Sequence, residues 1–117
     1  MGGSNGFVSL RLASSFQDLR LTVQDLDQVI INAPSDIPTD IKSRIDFMPY
    51  NFFTEQPVKD ADVYLFRWIF HDWSDLYCLR ILRNLIPALK GGALILINDN
   101  VLPEPGTLAP WQEKQIR

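Results

Sequence analysis

The sequence predicts an α/β fold, a mostly parallel sheet with helices on its faces. Three observations carry that expectation. An apolar run, Asp62-Val63-Tyr64-Leu65-Phe66, leads through residues 67–73 into a helical pattern that begins at Ser74. A second run, Ala93-Leu94-Ile95-Leu96-Ile97, follows that helix after Gly91-Gly92. Earlier, strand-like stretches at 21–23 and 44–48 flank another helical stretch. A strand buried on both faces reads as a continuous apolar run, and strands alternating with helices argue for parallel pairing.

Composition narrows the class further. The 117 residues bound the chain at one domain, and an apolar fraction of 46% suits a globular core. A net charge of -3 offers no footprint for nucleic acid or an anionic membrane. The single cysteine, Cys78, excludes an internal disulfide and fits a reducing compartment. Its place in an apolar helical pattern marks it as a small buried hydrophobe rather than a reactive thiol. No secretory signal is visible, and every apolar run falls well short of the ~18 residues of a membrane span. A soluble, cytoplasmic protein is expected.

Met1-Gly2-Gly3-Ser4-Asn5-Gly6 opens onto a helix whose apolar face would carry Val8, Leu12, Phe16 and Leu19. Glycines ahead of a helix let backbone N–H groups approach a ligand, or leave a flexible terminus. Leu21-Thr22-Val23 reads as a strand with Asp25 just past its end. In nucleotide-binding α/β folds an acidic residue at that point accepts hydrogen bonds from ribose hydroxyls. Capping of the next helix, Leu26 to about Ala33, is the alternative role. Pro34 to Pro38 is a loop, and Arg44-Ile45-Asp46-Phe47-Met48 is the next strand.

The run at 62–66 then delivers the only histidine, His71, to the rim where ligands sit in open parallel sheets. A neutral imidazole there can take a proton or can be structural. Trp68 and Trp73 read as walls of a site, because exposed tryptophan is uncommon. Ser74 is placed to cap a helix that carries Asp75 in its first turn. That helix should bury Cys78, Ile81, Leu82, Leu85 and Leu89, with Pro87 disturbing its last turn. Residues 93–97 are expected to form a fully buried strand, with Asp99 at its carboxyl end. A turn-rich loop follows at 103–106, and Trp111 to Arg117 begins another segment. There are no internal repeats. A lone histidine cannot build a multi-histidine metal site, and the carboxylates show no ligand spacing.

Five strings occur in a characteristic order: Gly2-Gly3-Ser4-Asn5-Gly6, Val23-Gln24-Asp25-Leu26, Phe52-Phe53-Thr54-Glu55-Gln56-Pro57, Arg67-Trp68-Ile69-Phe70-His71-Asp72-Trp73-Ser74-Asp75 and Ile97-Asn98-Asp99-Asn100-Val101-Leu102-Pro103. The set resembles the plant and fungal small-molecule O-methyltransferases, which use S-adenosylmethionine, and the likeness is strongest to the fungal members. The resemblance implies a Rossmann-like methyltransferase fold, with residues 1–117 forming part of the S-adenosylmethionine-binding catalytic domain. It implies that Gly2 and Gly3 pass beside the methionine part of the cofactor and that Asp25 holds the ribose. Asn51 and Phe52 would meet the adenine, and Arg67 would lie near the cofactor. His71 would be the general base toward a phenolic, polyketide-like acceptor, with Asp99 orienting it.

This chain departs from the family pattern at Asn51, where relatives usually carry aspartate. The amide oxygen still accepts from an adenine amino group but lacks the charge, so weaker cofactor binding is expected. The resemblance also implies that the family's first, central strand and its C-terminal strands lie outside these residues. An N-terminal dimerisation domain, which makes full-length relatives homodimeric, and a C-terminal acceptor segment would lie outside them too. A chain without a central strand is expected to be marginally stable alone, or to recruit a strand from a partner. A non-catalytic remnant that acts as a binding or partner-dependent subunit is the rival reading. A nucleotide-binding oxidoreductase is disfavoured, because Gly3-Ser4-Asn5-Gly6 stands in place of a full Gly-x-Gly-x-x-Gly turn.

Overall fold

The computed structural model describes residues 1–101 and 103–112. Helix α1 (Phe7–Ser15) leads to β1 (Leu21–Asp25), and two single-turn helices, α2 (Asp27–Ile30) and α3 (Thr39–Lys42), precede β2 (Ile45–Pro49). Next come β3 (Val63–Arg67), a 3₁₀ turn at Phe70–Asp72, α4 (Asp75–Leu85), a second 3₁₀ turn at Ile86–Ala88, and β4 (Leu94–Asn98). Both strand pairings are parallel, as expected. Leu21 faces Ile45 in one pair and Val63 faces Leu94 in the other. The strands do not form one sheet, however. They form two separate pairs, β1–β2 and β3–β4.

Each pair has its own core. In the first half, Ala13, Val23, Ile41 and Ile45 are buried together, because α1 and α3 pack against the β1–β2 pair. In the second, Tyr64 and Phe66 of β3 pack on Ile81 and Leu85 of α4 and on Ala88. The i, i+4 spacing of Ile81 and Leu85 puts both on one helix stripe. Pro87 lacks an N–H, so the α-helix closes at Leu85 and tightens into the 3₁₀ turn. Ser74 occupies the N-cap position without a side-chain cap bond, and Asp75 stands in the first turn.

Between β1 and β3 lies a slot of about 730 Å³, walled by Leu21 and Val23 on one side and Val63 and Leu65 on the other. Residues 1–3 cross one end of it. The Met1 ammonium group donates to the Leu65 carbonyl at 2.8 Å, and the Gly3 N–H donates to the Gln24 carbonyl at 2.9 Å. Burial pulls the Met1 amine down to about 6, against an upward pull from Asp25. The slot loosens the molecule. Its radius of gyration is 16.2 Å, whereas a compact domain of this length has about 13 Å.

Three sequence expectations are corrected. The run at 93–97 is a strand but is not buried: every residue of β4 is exposed, Leu94 at 56% and Ile97 at 55%. It is bordered by β3, and neither core cluster includes Leu94–Ile97. The first helix stops at Ser15, so Phe16 and Leu19 lie outside it and are exposed, while Ala13 and Leu10 make its inner face. Its end is secured by Arg44, whose guanidinium donates to the carbonyls of Ala13 (2.9 Å), Phe16 (3.1 Å) and Leu19 (3.1 Å). A cation on the orphan carbonyls of a helix end offsets their partial charge. Finally, the expected helix from Leu26 to Ala33 shrinks to the single turn of α2.

Candidate cofactor and catalytic site

Because both pairs are parallel, the carboxyl ends of β1, β2 and β3 deliver their following loops to the ligand rim of the fold. Gly2 joins the ends of β1 and β2 around a cavity of about 200 Å³. It is lined by Gly2, Asp25, Leu26, Tyr50, Asn51, Phe52, Phe53 and Trp73. Pockets for whole drug-sized ligands span roughly 300–1,000 Å³, so this one suits a part of a larger molecule, such as a nucleoside.

Asp25 ends β1 with its carboxylate engaged on both sides. Oδ2 accepts from the Ser4 N–H at 2.8 Å and Oδ1 from the Leu26 N–H at 2.7 Å. Each oxygen keeps a further lone pair, so the group holds the glycine-rich turn and still accepts from a ligand. Gly2 has φ 61°, and a Cβ there would collide with the Ile69 side chain. A Cβ at Gly3 would come within 2.7 Å of Val23 Cγ1. Gly3 therefore backs onto β1 and lines the slot, whereas Gly2 lines both the slot and the small cavity.

Asn51 turns the chain after β2. Its Oδ1 accepts from the Phe53 N–H at 2.9 Å and its backbone carbonyl from the Thr54 N–H at 2.9 Å, an Asx-type turn. The Asn51 oxygen is thus partly occupied, with a second lone pair left. Phe52 lies edge-on to Phe53 (5.1 Å) and to Trp73 (6.1 Å), and it also packs against the second core. Tyr50 donates from its hydroxyl to the Thr54 carbonyl at 2.6 Å, and burial pushes its phenol up to about 12.

The end of β3 is built differently. The Trp68 N–H donates to the Asn98 carbonyl at 3.0 Å, and Trp68 then turns into the left-handed region, with φ 54°. The Arg67 guanidinium stacks over the Trp68 ring at 4.0 Å and lines the slot rather than the small cavity. His71 sits in the 3₁₀ turn, exposed, with Nε2 at 2.9 Å from the Trp68 carbonyl oxygen and 3.5 Å from Asp72 Oδ1. Trp68 is 50% exposed and Trp73 37%, so of the two only Trp73 walls the small cavity.

The structure does not join His71 to Asp99. Both Asp99 oxygens are buried, and neither has a hydrogen-bond partner among the described residues. An unpaired buried carboxylate is costly, which leaves Asp99 the most under-satisfied group described. Cys78 is free and half-buried, its thiol pushed up first by burial and then by the charges of Asp75 and Asp99.

Sequence reasoning missed one pair altogether. Gln24 Nε2 donates to Gln56 Oε1 at 2.7 Å, and Gln56 Nε2 returns a bond to Gln24 Oε1 at 2.9 Å. Both side chains are buried, and their partners stand 32 residues apart. The signal was present in both strings: a glutamine between Val23 and Asp25 in a buried strand, and another in Glu55-Gln56-Pro57.

A cavity at parallel strand ends, with a carboxylate, an amide and aromatic faces on its wall, has the chemistry expected of a nucleotide-type cofactor site in an α/β fold. Comparison with known proteins makes the class specific. The O-methyltransferase domain family matches residues 1–114, and the chain belongs to that family. It is 53% identical over its whole length to the grayanic acid biosynthesis cluster O-methyltransferase of Cladonia grayi. It is 49% identical, again over its whole length, to the chlorophenol O-methyltransferase of Trichoderma longibrachiatum. The chain spans 26% of each of these relatives. Among solved structures, LepI in complex with SAM superimposes with a TM-score of 0.84 at 37% identity, over 99% of this chain and 29% of LepI.

Proposed function

We propose that this chain is the S-adenosylmethionine-binding part of an O-methyltransferase that acts on a hydroxyl of a phenolic, polyketide-like small molecule. One observation carries the reading: Asp25, Asn51, Phe52 and Trp73 surround one nucleoside-sized cavity, and His71 follows the neighbouring strand end. The relative named for chlorophenol and the relative named for a biosynthesis cluster support the acceptor class. The neighbour solved with SAM supports the cofactor.

When bound, the cofactor supplies a methyl group already activated by its sulfonium. The protein's part is position and a base. Asp25 accepts from the ribose hydroxyls with the lone pairs that Ser4 and Leu26 leave free. Asn51 accepts weakly from the adenine amino group, while Phe52 and Trp73 offer ring faces and edges. Gly2, with no room for a side chain, keeps the backbone close to the methionine end, with Gly3 behind it. Arg67 lines the slot rather than the small cavity, so its positive charge would act only toward the methionine end, where Gly2 also borders the slot. His71 takes the proton of the acceptor hydroxyl, which a phenol with a pKa near ~10 does not release readily at neutral pH. Asp99 stays the candidate orienting partner of His71, its oxygens carrying no hydrogen bond among the described residues.

The free thiol of Cys78 supports a reducing, cytoplasmic setting. The slot between β1 and β3 supports the reading that a partner strand completes this part of the fold. The same slot, with Asn51, favours a second reading, a binding subunit that works only when completed by a partner. Calorimetry with S-adenosylhomocysteine tests the cofactor assignment. A charge-assisted bond contributes about 1.5–3 kcal/mol, so Asp25→Ala should weaken binding at least tenfold. Equal heats for both proteins remove Asp25 from the site. No heat from either removes the cofactor reading.

A further inference from the structure

We infer that His71 is held as the Nε2–H tautomer by the backbone carbonyl of Trp68, so that Nδ1 is its bare, proton-accepting nitrogen. Two groups face Nε2: the Trp68 carbonyl oxygen at 2.9 Å and Asp72 Oδ1 at 3.5 Å. Both can only accept a hydrogen bond at neutral pH, so the nitrogen between them must donate. In a neutral imidazole one nitrogen donates and the other carries the lone pair. Nδ1 takes no hydrogen bond among the described residues, and it is left with that lone pair.

The carbonyl reaches His71 through an unusual backbone. Trp68 has φ 54°, a region that a bulky side chain enters only when its surroundings over-determine it. Here the surroundings are visible. The Trp68 N–H is fixed on the Asn98 carbonyl at 3.0 Å, and the Arg67 guanidinium covers the indole at 4.0 Å. The left-handed turn lets the strand end abruptly and return its carbonyl to the residue three positions on. Trp68 is therefore a positioning residue, acting through its main chain. In the reaction proposed above, on which the chemical use of this tautomer rests, the acceptor O–H bond breaks and an Nδ1–H bond forms. The resulting imidazolium already has the Trp68 carbonyl and the Asp72 carboxylate on its other face.

The chain holds one histidine, so its imidazole gives a single set of nitrogen signals. Long-range proton–nitrogen correlation spectra of the ¹⁵N-labelled chain, taken in the cold at mildly alkaline pH, read the tautomer directly. The denatured chain supplies the freely exchanging mixture as reference. Expected is a wider separation of the two nitrogen signals than in that reference, with Nε2 fully protonated and Nδ1 bare. Trp68→Gly, which keeps the left-handed turn available, should preserve the separation. Trp68→Val, which disfavours it, should collapse the separation toward the reference. Signals equal to the denatured chain, or a protonated Nδ1, overturn the inference. Cofactor heats on the same samples fail or succeed independently, so a lost methyltransferase reading would not be mistaken for a lost tautomer.

Discussion

The two halves of the molecule divide the work unequally. The β1–β2 half buries its core under two helices and ends in Asp25, whose oxygens are already ordered by two backbone N–H groups. The β3–β4 half buries β3 under α4 but leaves β4 bare, and it ends in an exposed His71 behind a left-handed tryptophan. The proposed cofactor wall is thus mostly a property of the first half and the loop after it, and the proposed base is a property of the second. What joins them is the contacts of residues 1–3, the Gln24–Gln56 amide pair and the edge-on packing of Phe52 and Phe53 against Trp73. The difference teaches that binding and chemistry can be lost separately here. Their relative geometry hangs on a few hydrogen bonds and ring contacts rather than on a continuous sheet.

The largest effect should come from emptying one core alone. Phe66 is fully buried between β3 and α4, and truncating such a residue costs about 3–5 kcal/mol. Phe66→Ala should abolish amide protection in β3 and α4 while β1 and β2 stay protected in hydrogen exchange. Simultaneous loss in both halves would show that they fold as one unit, and the comparison would fail. The base is next. In a chimera that supplies the remaining segments from a curated relative, His71→Ala should cut turnover by ~10²–10⁴-fold. Affinity for S-adenosylhomocysteine should stay unchanged, and a matching loss of affinity would place His71 in the binding wall instead.

The amide pair ranks third. Gln56→Leu leaves Gln24 Oε1 buried without a partner and its Nε2 with only the Met48 sulfur at 3.3 Å, which costs about 1–3 kcal/mol, read as a lower denaturation midpoint. Adding Gln24→Leu should recover most of that loss, because both polar groups are then gone. A double variant as unstable as the sum of the single ones would mean the pair contributes nothing as a pair. The smallest effect belongs to the ion pair Lys90–Asp62, at 2.6 Å, which ties the start of β3 to the turn before β4. Asp62 is held below its ordinary value by hydrogen bonding to Lys90, and Lys90 is held above its own by the same bond. Its contribution is therefore full between about pH 4 and 10, and it fades below and above that window as one partner or the other loses its charge. Asp62→Asn should lower stability slightly within that window and leave the acid and alkaline extremes of a stability–pH profile unchanged. A change at neutral pH larger than a fraction of the total would point to a role other than charge.

Much of the fold was legible because it is written locally. The apolar run at 62–66, the i, i+4 spacing of Ile81 and Leu85, Pro87 near the helix end and the glycine-rich turn each constrain their own few residues. Parallel pairing followed from their alternation. The Asp25 carboxylate at a strand end and His71 at the next one were readable for the same reason. Asp25 was assigned two rival roles, capping and ligand binding; its oxygens hold the Leu26 and Ser4 N–H groups without capping α2, and they keep lone pairs for a ligand.

Tertiary structure alone decided which apolar residues are buried, because burial belongs to the partner that covers a surface and not to the surface. Val63 and Leu94–Ile97 have the composition of interior strands, yet they are exposed where none of the described helices or strands covers them. The same holds for contacts across long stretches of chain. Arg44 reaches the end of α1 from 31 residues away, and Gln24 finds Gln56 at 32. No local pattern can specify such a meeting. The left-handed turn at Trp68 is of that kind too: an intrinsic preference would forbid it, and only the Asn98 carbonyl and the stacked Arg67 hold it in place. Sequence put a histidine at the strand end; the fold around it selected which of its nitrogens faces an acceptor.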